Sequence, residues 1–123
     1  MRLISVTVAA FIATPALAAS PAPADPLAAR GKQLYESRCE GCHSIQTNRI
    51  GPKHLGVVGR KAGSVPGFDY TPALKRAKFV WTEKQIDKWL QGPSKLVPGT
   101  AMAFSVSKPE DRAAIIAWLK VAK

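Results

Sequence analysis

Cys39 and Cys42 stand three residues apart and a histidine follows at once, in the run Cys39-Glu40-Gly41-Cys42-His43. Residues three apart on a helical turn face the same way, so two thiols can reach neighbouring points of one flat ligand. The next side chain then offers its imidazole to the same ligand. This is the attachment pattern of a c-type haem, with the thiols joined to the two vinyl groups and His43 on the iron from the proximal side. A structural zinc site needs four Cys/His ligands, and beyond these three the chain offers only His54. A disulfide between such close neighbours would close too small a loop to stabilise much. A redox dithiol, which wants a βαβ setting that the preceding sequence lacks, is the remaining alternative.

The elements that must hold this turn are helical. Leu27, Gly31, Leu34 and Tyr35 recur at helical spacing and run into Cys39. Gly31 inside that stretch reads either as a close approach of another helix or as a tolerated surface glycine, at a cost of about 1 kcal/mol against alanine. Ser44 to Gly67 carries Gly51-Pro52, Gly56, Gly59, Gly63 and Pro66-Gly67, which predicts loop with short turns. Thr71-Pro72 opens a short helix over Ala73 to Lys78. Thr82 to Gln85 is a capping-box pattern for a helix whose inner face is Ile86, Trp89 and Leu90, ended by Gly92-Pro93. Ser94 to Ser105 has no period. Ser107 and Glu110 form a second capping-box pattern before a last helix with Ile115, Trp118, Leu119 and Ala122 on one face. The fold class is all-α, with helices at both ends and long loops between.

The N-terminus adds the compartment. Met1-Arg2, the apolar run Leu3 to Ala13, and Ala16-Leu17-Ala18 have the order of a secretory signal with its cleavage site. The run is well short of the ~20 residues that span a bilayer, so no transmembrane anchor is expected. The predicted organisation is a signal peptide over 1–18, a proline-rich flexible lead-in over 19–26, and one domain over 27–123. Export to the periplasm follows from that reading.

Charge bounds the partners. The chain carries 18 Lys+Arg against 8 Asp+Glu, +10 in all, and losing Arg2 with the signal leaves 17 against 8, or +9. A basic surface steers encounter toward acidic partners. The lysines are scattered rather than clustered in runs, and export takes the chain away from nucleic acid, so acidic redox proteins or an anionic membrane surface are favoured.

With Met1 removed, Met102 is the one methionine left, in the irregular segment Val97 to Phe104. A thioether on the distal side favours reduced iron and suits electron transfer; a core methionine filling a gap is the plainer reading. His54, eleven residues after His43, is a rival ligand badly placed to reach around the ring, and reads as a loop histidine.

At this point the chain resembles class I c-type cytochromes, mitochondrial cytochrome c and its small bacterial relatives, over essentially the whole domain from Gly31 to Leu119. The matching motifs come in order: Gly31…Tyr35, Cys39-x-x-Cys42-His43, Gly51-Pro52, Gly59-Arg60-Lys61, Pro66-Gly67-Phe68-x-Tyr70, Trp81, Pro98-Gly99-Thr100-x-Met102 and Ile116-Ala117-Trp118-Leu119. The resemblance implies the cytochrome c fold, crossing terminal helices and long loops around one covalently bound haem c and its iron. It implies axial ligation by His43 and Met102. It also implies that Pro52 holds the other imidazole nitrogen through its carbonyl, and that Arg60, Tyr70, Trp81 and Thr100 face the propionates. Phe104 would lie near the exposed haem edge. Three departures stand out: a shorter loop from His43 to Gly51, Trp89 where a tyrosine is usual, and Leu74 where asparagine is common. His54-Leu55 is a fourth, standing one place out of register with a usual leucine.

The expected function is a monomeric periplasmic electron carrier and not an enzyme, with Lys32, Lys53, Lys95 and Lys108 as candidates for a docking rim. The alternatives are a dedicated haem subunit of a periplasmic dehydrogenase, or a haem peroxidase or gas-binding module, the last two requiring an open iron position.

Overall fold

A computed structural model describes residues 25–123 of the chain; the predicted signal peptide and most of the lead-in lie outside them. The first helix, α1 (Pro26–Arg38), begins earlier than the lead-in reading allowed. The Asp25 carboxylate accepts the Leu27 N–H at 3.0 Å, and Pro26 takes the first helical position, where a missing N–H costs nothing. Past Arg38 the chain keeps turning: the Cys39 N–H donates to the Tyr35 carbonyl at 2.8 Å, and the Cys42 and His43 N–H groups both donate to the Cys39 carbonyl, at 3.0 and 2.8 Å. Both cysteines and the histidine are therefore carried on a turn that continues α1.

Three short helices follow: α2 (Pro72–Arg76), α3 (Glu83–Gln91) and α4 (Pro93–Leu96). Thr71 and Thr82 cap the first two as their sequences predict, each hydroxyl accepting an N–H from the third residue on. α4 was not expected. Four residues show no period, and only the Gly92-Pro93 start marks it. The last helix, α5 (Pro109–Val121), closes the chain. Its predicted Ser107–Glu110 capping box does not form. Pro109 occupies the first helical position and moves the cap to Lys108, which makes no side-chain cap bond, so Ser107 and Glu110 fall out of register. The carbonyls of Val106 and Ser107 are taken instead by the Arg112 guanidinium, at 3.1 and 2.7 Å, and Arg112 also pairs with Asp87 of α3 at 2.7 Å.

α1 crosses α5, and Gly31 is the reason they come so close. A Cβ at Gly31 would overlap the Ala114 carbonyl and stand 2.9 Å from Trp118 Cβ, so the close-approach reading of this glycine is the right one. Beside the crossing, Asp111 of α5 is buried, its side chain 4% exposed, and it pairs with Arg30 and Arg38 of α1. No strand occurs among the described residues beyond one antiparallel bridge between Lys61 and Val80. Tyr35 from α1, Ile86 and Leu90 from α3, and Ile115 and Leu119 from α5 form the core, and the loops from 44 to 71 and 97 to 108 wrap its open side.

Candidate functional site

Between that core and the loops lies a cavity of about 510 Å³. Cys39, Cys42, His43, Pro52, Arg60, Tyr70, Trp81, Thr100, Met102 and Phe104 all line it, so every residue singled out for the site reaches one space. The apolar remainder of the wall includes Val57, Leu74, Ile86, Trp89 and Leu90.

The turn after α1 supplies one wall. His43 is held by its Nδ1, 2.9 Å from the Pro52 carbonyl. A carbonyl only accepts, so Nδ1 carries the proton and Nε2 keeps its lone pair. Burial lowers the His43 pKa, and the bond to Pro52 works against that shift. The neighbouring glycine is required sterically: a Cβ at Gly51 would overlap the His43 ring. Both cysteines are free. Burial pushes the Cys39 thiol up to about 11, against the pull of Arg38, so it stays a neutral thiol at pH 7.

The loops supply the polar contacts. The terminal nitrogens of Arg60 donate to the Leu55 and Lys53 carbonyls, both at 3.1 Å, while its buried Nε has no partner. The Tyr70 hydroxyl accepts the Val65 N–H at 3.1 Å and keeps its own proton to give. Thr100 Oγ1 accepts the Met102 N–H at 3.4 Å, and the Met102 side chain is half-buried. Phe104 lies at the rim, 45% exposed. Trp81 is buried, edge-to-face with Trp89 at 5.2 Å and with Phe79 at 4.8 Å.

His54 lies in a loop, as its sequence setting predicts, and its place there is specific. It lines the cavity, stacks on His43 with ring centroids 4.0 Å apart, and bonds to the Tyr35 hydroxyl at 3.0 Å. Leu55, its neighbour, is 39% exposed and is not part of the cavity wall. The only sequence signal for this was the Gly51-Pro52 turn, which brings the following residues back over His43.

The residues present fit a haem. The walls are apolar around a space large enough for a flat ring, and His43 has its Nε2 lone pair free. Met102 lines the same space, and an unpartnered arginine nitrogen with a free phenol proton awaits anionic groups.

Comparison with known proteins agrees. The family model described as Cytochrome c matches residues 28–123. Cytochrome c of Euglena viridis is 48% identical over 99 residues, covering 78% of this chain and 97% of that protein. Cytochrome c2 of Rhodomicrobium vannielii is 42% identical over 94 residues, covering 73% of this chain and 74% of that one. The solved structure of cytochrome cH from Methylobacterium extorquens superposes with a TM-score of 0.72 at 40% identity, over 76% of this chain and 96% of that one. The fold and these matches define a class I c-type cytochrome. The chain belongs to the cytochrome c family: it has the cytochrome c fold, binds one covalently attached haem c with its iron, and carries electrons.

Proposed function

We propose that this protein is a monomeric carrier that shuttles single electrons between redox partners in the periplasm, after removal of residues 1–18, and that it has no enzymatic turnover of its own. The observation that carries the reading is the meeting of Cys39, Cys42, His43 and Met102 in one cavity. When bound, the haem supplies a one-electron iron couple. Cys39 and Cys42 would anchor it through thioether bonds to the turn that continues α1. His43, its Nδ1–H held by the Pro52 carbonyl, and Met102 would be the two protein ligands of the iron, and a thioether ligand would favour the reduced state. Arg60, Tyr70, Trp81 and Thr100 would hold the propionates, and Phe104 would cover the rim. Two retained protein ligands would let the iron change oxidation state with little rearrangement, which suits electron transfer better than peroxide or gas binding.

The compartment and partners rest on sequence: the signal pattern at the N-terminus, the net charge of +10, and the scattered lysines such as Lys32, Lys53, Lys95 and Lys108. Among the described residues no helix is long and apolar enough to cross a membrane. Partners with acidic docking surfaces would use this charge, and electron transfer to them slows as salt is added; a rate indifferent to salt removes the docking reading.

Optical spectra of the haem-loaded protein test the ligand set. A weak long-wavelength iron–sulfur charge-transfer band in the ferric form, absent from Met102→Ala, is the expected result. A high-spin ferric spectrum, or rapid carbon monoxide binding to the reduced wild type, would instead favour an enzyme or gas-binding role.

A further inference from the structure

His54 has no part in the ligand set, yet it is among the most specifically placed side chains at the site. Its ring lies almost parallel to His43, 21° between planes and 4.0 Å between centroids. Its Nδ1 is 3.0 Å from the hydroxyl of Tyr35, a residue of α1 that is 1% exposed. A buried phenol proton needs an acceptor, and Tyr35 finds one by donating to His54 Nδ1. His54 is then the Nε2–H tautomer. One ring is thus bonded to a core tyrosine, and its face lies on the ring that carries Nε2 toward the cavity.

The bond from His43 Nδ1 to Pro52 restrains rotation of that imidazole about Cβ–Cγ, but a hydrogen bond tolerates a spread of angles. A second contact on the ring face narrows that spread. Gly51 crowds the same ring, since a Cβ there would overlap it, but glycine offers only backbone. The stacked imidazole supplies a flat surface, and the Tyr35 bond keeps that surface from turning. We propose that His54 is a positioning residue, held by Tyr35, that sets the plane of the His43 imidazole and so the orientation of the proximal ligand. This rests on the reading of His43 as that ligand. Ring orientation governs which iron orbital overlaps the imidazole, and so how unpaired spin is spread over the porphyrin in the ferric protein.

The test uses the haem-loaded ferric protein and the proton resonances of the four haem ring methyls, whose order and spread report the axial imidazole plane. His54→Leu removes both stack and acceptor and reorders or compresses the four shifts. Tyr35→Phe, which leaves His54 in place, moves them in the same direction by less, and the double variant goes no further than His54→Leu alone. His54→Phe keeps a flat face without the acceptor and stays closer to wild type than His54→Leu. Ile116→Val, a buried change away from the cavity, loses stability and leaves the pattern unmoved. Methyl shifts unchanged in both Tyr35→Phe and His54→Leu overturn the proposal, and so does a pattern that Ile116→Val moves equally. If His54→Leu fails to mature, Tyr35→Phe and His54→Phe decide alone. His43→Ala separately tests the premise: loss of the low-spin spectrum upholds His43 as the ligand, and a retained one removes that reading whatever His54→Leu does.

Discussion

At the crossing of α1 and α5 the protein answers its own needs. Gly31 makes room for the Ala114 carbonyl, and Asp111 is met by Arg30 and Arg38. Arg112 is met by two carbonyls and Asp87. One group there goes without an acceptor, the Trp118 indole N–H. The cavity wall is the opposite case. Arg60 Nε has no partner, the Tyr70 proton has none to give itself to within the Val65 bond, and about 510 Å³ lies between apolar walls. The crossing, Trp118 apart, is complementary to itself, whereas the cavity is complementary to a cofactor. The first kind of packing can form from the chain alone, and the second is finished only when its ligand arrives.

The strongest way to break this comparison is to remove the haem. Cys39→Ala/Cys42→Ala removes both thiols of the chain, which the proposed attachment needs, and the cavity side should lose its packing. The expected result is loss of most of the far-UV helix signal and of any cooperative thermal transition. A cooperative melt close to that of the haem-loaded protein would mean that the self-complementary part suffices, and that the cavity contributes little to folding.

The reverse experiment attacks the crossing while the haem stays. Gly31→Val places a branched side chain where even a Cβ overlaps backbone. The two helices must separate, at an expected cost of about 3 kcal/mol or more, read as a shift in denaturation midpoint of the haem-loaded protein. A loss below about 1 kcal/mol would mean that the helices slide apart freely, and that the crossing is looser than its geometry indicates.

Asp111→Asn probes the charge at the same place. The carboxylate is buried, but its partners are half-exposed, with side chains 49% and 40% accessible. Arg30 and Arg38 can therefore rehydrate when the charge goes, which softens the usual cost of an orphaned buried ion. About 2 kcal/mol is expected, less than for Gly31→Val. A larger loss would mean that the arginines stay trapped.

These two regions were not equally legible in the sequence. Cys39, Cys42, His43 and Met102 carry chemistry in their side chains, and the fixed spacing of the first three speaks without any structure. Gly31 was ambiguous alone, because a helical glycine becomes informative only when its neighbour is known. The loop polar residues Arg60, Tyr70, Trp81 and Thr100 came from family resemblance, since nothing in a scattered arginine or aromatic tells where a loop will bring it. The misses have a common cause. The α5 cap moved because Pro109 overrode a good Ser-x-x-Glu pattern, α4 is too short to show a period, and the His54–His43 stack is set by a turn, not by spacing. Local pattern fixes elements; close approach between loops is decided by the tertiary fold.

The smallest effect concerns Tyr35, which belongs to both regions: its backbone is in α1 and its hydroxyl reaches His54 at the cavity. Burial is the main cause that raises its pKa above the ordinary 10.0, with Glu40 adding to the shift and Arg49 opposing it; the Cys39 thiolate that also raises it in the free chain has no charge once the sulfur is bonded to haem. The folded protein therefore keeps this proton where the unfolded chain releases it. The contribution is full below pH 10 and falls as pH rises above it, because the unfolded state then binds fewer protons than the folded one. One unit above that value the loss reaches about 1 kcal/mol. Lysines titrate in the same range, so the measurement is a difference: denaturation midpoints of wild type and Tyr35→Phe at pH 9 and pH 11, both haem-loaded. The wild type should lose more between the two, with the phenylalanine variant following the shallower line. Equal slopes would mean that Tyr35 ionises within the folded protein, so that water reaches the phenol and the self-complementary packing stops short of the Tyr35–His54 bond.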